Sequence, residues 1–135
     1  MRIVLDSNVV VAAFATRGLC AALFEYCVES HEIFLCSVML KEITRVLRKR
    51  IKVPRETVGQ IESYLGTGTS LVQPTRIDPG VCRDKKDLPV LGCAVSSVSE
   101  FLVTGDDDLL SIAGFEKIDI VTPRQFWERV KTRKG

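Results

Sequence analysis

The chain has 135 residues, a length suited to about one domain. A chain of this size buries roughly two-thirds of its unfolded surface, enough for a core that needs no disulfide or metal staple. Hydrophobic residues make up 46% and charged residues 27%, which excludes disordered, collagenous and coiled-coil chains. Nineteen basic residues against seventeen acidic ones leave a net charge of +2, so a nucleic-acid face has to come from local clustering. The longest apolar run, Val9 to Ala15, is far short of the ~20 residues that span a bilayer, so no membrane role is expected.

Two features bear on compartment. Arg2, the apolar residues after it and Ala13-Phe14-Ala15 imitate a secretory signal, but Asp6 and Asn8 interrupt its apolar stretch. The cysteines, Cys20, Cys27, Cys36, Cys82 and Cys93, are odd in number and irregularly spaced, without a C-x-x-C pair. Four of them lie in apolar stretches and read as small buried hydrophobes of a reducing, cytoplasmic setting. His31 is the only histidine, so a Ser/His/Asp triad and a histidine-rich metal site are both disfavoured, and His31 itself reads as a polar helix end.

In chain order, Ile3-Val4-Leu5 is a short apolar run typical of a buried parallel strand. Ser7-Asn8 then caps a helix through Phe14, with Gly18 beyond its end. Leu19 to Glu29 forms a second helix and Ile33 to Cys36 a second strand. Ser37 caps a helix to about Arg50 whose apolar positions are Met39, Leu40, Ile43, Val46 and Leu47. Pro54 suits the first turn of a helix carrying Val58, Ile61 and Leu65, and Gly66-Thr67-Gly68-Thr69 reads as a turn before a short strand at Leu71-Val72. Pro74 to Lys86 reads as loop. Asp87 opens a helix to about Val98, with Pro89 tolerated in its first turn. Phe101 to Thr104 is a strand, and Asp106, Asp107 and Asp108 favour the positive end of a following helix. Ile118 to Val121 is a last strand. Thr122-Pro123-Arg124-Gln125 is a capping box that opens a helix with Phe126, Trp127 and Val130, where spacing favours packing over base stacking for Trp127. Alternating strands and helices mean an α/β fold with a mostly parallel sheet of about five strands in one domain, residues 1–135.

The chemistry lies in carboxylates that follow strands, because open parallel sheets build their sites beyond the carboxyl ends of the strands. Asp6 and Asp106 occupy such positions, and either one alone is also a plausible helix cap. Glu42 lies at the flank of its helix's apolar stripe, where it can point along the sheet edge or pair with Arg45. Asp87 opens a helix after Arg83-Asp84-Lys85-Lys86. Convergent carboxylates stay ionised together only around a cation, and an all-oxygen set selects a hard one, Mg²⁺ or Mn²⁺. Such ions are suited to phosphodiester hydrolysis.

The order Asp6-Ser7-Asn8, Glu42, Asp87 and Thr104-Gly105-Asp106-Asp107-Asp108, with the closing Val121-Thr122-Pro123 and Phe126, resembles the PIN-domain nucleases over essentially the whole chain. It is most similar to the toxin-type members of prokaryotic toxin–antitoxin pairs. The resemblance implies a three-layer α/β/α sandwich and a Mg²⁺- or Mn²⁺-dependent endoribonuclease acting on single-stranded RNA. It also implies a small antitoxin partner, and homodimers are common in the family. Carried over, Asp6, Glu42, Asp87 and Asp106 look like the acidic quartet, Asp108 like an auxiliary metal ligand, and Ser7, Asn8 and Thr104 like hydrogen-bonding support. Asp84 competes with Asp87 for the third place, because lysines stand where relatives often have an acidic cluster.

Lys41 to Arg55 holds seven basic residues and one acid, and Pro123 to Gly135 five and one. Lys41, Arg45, Arg48 and Lys49 share the polar side of the Glu42 helix and form a candidate RNA track. Two other readings stay open. A haloacid-dehalogenase-type phosphatase also uses an aspartate after its first strand, but it needs a second one where this chain has Asn8. A non-cleaving module of the same fold would bind RNA or protein.

Overall fold

The computed structural model describes residues 1–134, with side chains through residue 131. Six strands form one sheet in the order β3-β2-β1-β4-β6-β5: β1 Arg2–Leu5, β2 Glu32–Leu35, β3 Ser70–Leu71, β4 Phe101–Val103, β5 Gly114–Phe115 and β6 Ile118–Val121. All neighbours are parallel except β5 and β6. The buried faces of β1, β2 and β4 explain their unbroken apolar sequences, since parallel strands are covered on both sides. The helices are α1 Ser7–Ala15, α2 Leu19–Ser30, α3 Ser37–Lys49, α4 Arg55–Gly68, α5 Leu88–Ser96, α6 Asp107–Leu110 and α7 Pro123–Lys134. The chain steps outward from β1 to β2 and β3, then returns to lay β4 against the other edge of β1. Right-handed crossovers in the two directions put helices on opposite faces, giving the three-layer sandwich. The reversal between β1 and β4 opens a crevice at their carboxyl ends.

The departures from the expected elements have local causes. The sheet has six strands, because Gly114–Phe115 folds back on β6 as an antiparallel hairpin. Its turn carries no Asn-Gly or Asp-Gly signal; Glu116 takes φ 55° instead. Gly66 to Gly68 is helical, not a turn. The last carbonyls of α4 are satisfied by the Thr69 hydroxyl, 2.6 Å from the Leu65 oxygen, and by the Thr67 hydroxyl on Tyr64. Helix α5 stops at Ser96, and Val98 takes φ 54° just past it. Neither Ser7 nor Ser37 is an N-cap: Asp6 and Cys36 hold those positions, one residue earlier. The capping box of α7 forms reciprocally, with Gln125 N–H donating to the Thr122 hydroxyl and Thr122 N–H to the Gln125 side chain.

The core runs from Ile3, Leu5, Leu35 and Leu102 in the sheet to Leu23, Ile43, Leu47, Leu91 and Phe126 on the helices. All five cysteines carry free thiols. His31 ends α2, with its Nδ1 3.1 Å from the amino terminus, and Trp127 packs edge-on against Tyr26, a packing role as expected. Among the described residues no single helix is long and apolar enough to cross a membrane.

The stretch Pro74 to Lys86 contains two 3-10 turns, Pro79–Val81 and Lys85–Asp87. Its start is clamped to α5: Thr75 N–H donates to the Gly92 carbonyl at 3.0 Å. A Cβ at Gly92 would collide with the Thr75 carbonyl oxygen and lie 3.1 Å from the Pro74 Cβ, so glycine is needed for this close approach.

Candidate active site

Strands β1 and β4 pair in register, Leu5 against Val103, so the next residue of each, Asp6 and Thr104, emerges side by side at the crevice. Asp6 N–H donates to the Val103 carbonyl and Thr104 N–H to that of Val121, both at 2.9 Å. The fully buried Thr104 hydroxyl donates to Asp6 Oδ2 at 2.6 Å and accepts the Asp106 N–H at 3.0 Å. One hydroxyl thereby ties the acids of two strands together. Asp6 Oδ1 accepts the Ser7 N–H at 2.7 Å, and Asp106 Oδ1 accepts the Asp108 N–H at 2.9 Å. Both aspartates are therefore helix caps, and capping leaves their other carboxylate oxygens at the crevice.

Asp84 caps the second 3-10 turn with extended backbone and Asp87 ends it, its N–H donating to the Asp84 carbonyl at 3.0 Å. Asp84, Asp87 and Asp108 bring carboxylate oxygens within 4.8 Å of one another. Asp84 and Asp87, rivals for one place in the sequence, both belong to this group. Asp106 and Asp6 lie close enough to Asp87 for their charges to oppose its ionisation. Five aspartates, Asp6, Asp84, Asp87, Asp106 and Asp108, therefore share the mouth of the crevice.

Glu42 is not one of the three carboxylates that converge within 4.8 Å. It lies one turn into α3, its side chain 49% exposed, with the Arg45 guanidinium 4.0 Å away at i+3. The ion pair weighed from the sequence therefore forms, at its outer limit. Glu42 still acts on the site from the facing wall, because its charge opposes ionisation of Asp6. The supporting trio also divides. Thr104 holds the acids directly. Ser7 contributes its backbone N–H, while its hydroxyl donates to the Met39 carbonyl at 3.5 Å and so links α1 to α3. Asn8 is exposed beside Gly105 and makes no hydrogen bond to an acid. Asp107 points to solvent.

The electrostatics reflect crowding. Burial raises Asp6 above the ordinary carboxylate value; the Thr104 hydroxyl and Ser7 N–H oppose this, and the charges of Asp106 and Glu42 add to it. Asp87 is pushed up to about 8 by burial first, then by its hydrogen bond and repulsion with Asp106 and the charges of Asp6 and Asp84. Asp87 therefore retains its proton at neutral pH when no cation is bound. Sequence reasoning missed Cys82. Its buried Sγ donates to Asp87 Oδ2 at 3.8 Å, and burial plus three neighbouring aspartates keep it a neutral thiol. No spacing signal marks that contact, which arises from the loop fold.

The residues fit a hard divalent cation. The donors are all oxygen, three converge, and the site holds more negative charge than it can keep ionised alone. Around it, Lys41, Arg45, Arg48 and Lys49 are exposed along α3. In the other basic segment, Arg129 is engaged in structure, 2.9 Å from Asp119 and stacked over Phe101, and the side chains of Arg133 and Lys134 lie outside the described residues.

Comparison with known proteins agrees with this geometry. Residues 2–108 match the family model described as PIN domain, a span that includes Asp6, Glu42, Asp84, Asp87, Asp106 and Asp108. No curated protein matches the chain. Among solved structures, it is similar to a chain in the crystal structure of VapBC2 from Rickettsia felis bound to a DNA fragment from their promoter. Identity is 15% and the TM-score 0.61, over 89% of this chain and 97% of that one, a likeness of fold. With the family match spanning most of its length and every candidate carboxylate, the chain belongs to the PIN-domain family.

Proposed function

We propose that this PIN-domain chain is an endoribonuclease that hydrolyses single-stranded RNA with Mg²⁺ or Mn²⁺, and that it is the toxin of a toxin–antitoxin pair. The observation that carries the reading is the convergence of Asp84, Asp87 and Asp108 within 4.8 Å at the crevice that also holds Asp6 and Asp106. These five aspartates would hold the metal, with Glu42 joining from α3. A bound divalent ion supplies activation of water and neutralisation of charge at the phosphate. The chain's own residues fix the acids in advance. Thr104 orients Asp6 and anchors the backbone of Asp106 through one hydroxyl, so neither carboxylate needs to reorganise. In the reaction, water adds to phosphorus, one ester P–O bond breaks, and the leaving oxygen takes up a proton.

The exposed Lys41, Arg45, Arg48 and Lys49 support an RNA strand beside Glu42. The likeness to a VapBC2 chain supports a small protein partner, and an RNA target suits the cytoplasm. The test is cleavage of a mixed single-stranded RNA panel in Mg²⁺ or Mn²⁺, with EDTA and Asp6→Asn as controls. Metal-dependent cutting that disappears in Asp6→Asn is expected. No cutting, together with no effect of either ion on thermal stability, overturns the nuclease reading. For the toxin role, induction of the chain alone in a bacterium should arrest growth, and Asp6→Asn should not.

A further inference from the structure

A second concavity lies next to the carboxylates, across the 3-10 turn at Lys85–Asp87. It is an open basin of about 420 Å³ floored by Val38, Pro74, Pro79 and Pro89, with Arg76 and Lys85 at its rim. The turn is the wall between the two. Asp84 and Asp87 place carboxylates on its acidic side, while Lys85 and Leu88 line the basin. Arg76 and Lys85 are exposed and make no ion pair among the described residues. The far wall is pre-formed, because Pro74 and Thr75 are locked against the backbone of α5 at Gly92. Val38, on the first turn of α3, is 52% exposed, a large apolar side chain left open at the site's edge.

We infer that this basin binds the nucleotide adjoining the scissile phosphate of the RNA strand. Its base would pack on Val38 and the proline rings, and its phosphate would meet Arg76 and Lys85. The inference rests on the RNA reading above. Charge complementarity selects the occupant: two unpaired cations border an apolar floor, and a nucleotide presents an anionic phosphate beside an apolar base face. The size falls in the range of small-ligand clefts. The basin is separated from the acids by one turn of chain, so a continuous strand can fill both. The composite wall of prolines also gives this chain a surface that can discriminate bases by shape.

The test is anisotropy of a fluorescein-labelled single-stranded RNA of mixed sequence, titrated with the full chain in EDTA at several salt concentrations. Cleavage then plays no part in the readout. Arg76→Ala/Lys85→Ala should weaken binding by roughly ten-fold and reduce the salt slope by about 0.7, since the one phosphate that both cations meet counts ~0.7 on a single strand. Lys117→Ala, in the β5–β6 turn, should leave both unchanged. Gly92→Ala, which displaces the basin wall without removing a charge, should weaken binding while preserving the salt slope. Unaltered affinity and slope in the double variant would overturn the basin and leave the nuclease reading standing. No RNA binding by the unmodified chain would overturn both.

Discussion

Replacing Asp87 with asparagine should make the metal-free protein more stable at neutral pH, by an amount that grows with pH. The folded-state value of Asp87 is about 8, against an ordinary 3.8, so between these the folded protein keeps a proton that the unfolded chain has released. The resulting stability is fully present below about pH 3.8 and is lost as pH rises towards 8. The loss is about 1.4 kcal/mol per pH unit, or about 2.7 kcal/mol between pH 5 and pH 7. With an unfolding entropy of ~2.1 cal/mol/K per residue, the full chain loses about 10 °C of Tm over that interval. Asparagine keeps the shape and a donor towards Asp106 but cannot ionise, so it removes this loss. The raised Asp6 acts in the same sense and is present in both proteins, so it cancels in the difference. The assay is thermal melting in EDTA at pH 5, 6 and 7, read as Asp87→Asn minus wild type. The difference should climb by about 1.4 kcal/mol per pH unit. Adding Mn²⁺ should stabilise the wild type increasingly with pH and the variant little. Parallel curves across pH would refute the reasoning, because Asp87 would then be ionised already and the aspartates would not be crowded enough to call for a cation.

Other perturbations separate the parts of the site. Thr104→Val removes the hydroxyl that joins Asp6 to Asp106; it should cost roughly 1–3 kcal/mol in urea melts and abolish RNA cleavage, by leaving Oδ2 of the buried Asp6 without its donor. Glu42→Gln should lower cleavage with a stability change under about 0.5 kcal/mol, since the side chain is half exposed and its ion pair with Arg45 is weak. Gly92→Ala should destabilise by about 1–3 kcal/mol on thermal melting, through its collision with the Thr75 carbonyl. Mg²⁺ or Mn²⁺ at a hundred times its Kd should stabilise the wild type by about 2.7 kcal/mol, and EDTA should reverse the shift.

What could be read in advance follows from the range of the forces involved. Strands β1, β2 and β4 announce themselves because a parallel strand buried on both faces is apolar along its buried length, while β6 shows through Ile118, Ile120 and Val121 despite the exposed Asp119. The capping box at Thr122 is legible because it is closed within four residues. Strand β5 is not, because a two-residue edge strand exists only through its partner β6. The end of α4 is misread for a related reason. Glycines lower helix propensity by about 1 kcal/mol, yet the tertiary seat of Leu65 and the hydroxyls of Thr67 and Thr69 outweigh it.

The acids show the same division. Asp6 and Asp106 are marked by position, since each follows a buried strand on either side of the sheet's reversal point. Asp84 and Asp87 look like rivals when the segment before Asp87 is read as loop. A loop gives no rule for where neighbouring side chains point, whereas a 3-10 turn does. Closed by the Asp87 N–H on the Asp84 carbonyl, it brings the carboxylates of Asp84 and Asp87 together while Lys85 and Leu88 line the basin. The lysines that look like a departure from an acidic cluster are therefore compatible with one: Lys85 occupies the phase of the turn that faces away from the carboxylates. An insertion that lengthens this segment by one residue would shift its register, moving a lysine towards the acid cluster and an aspartate towards the basin. The site depends on the register of three residues as much as on their identity.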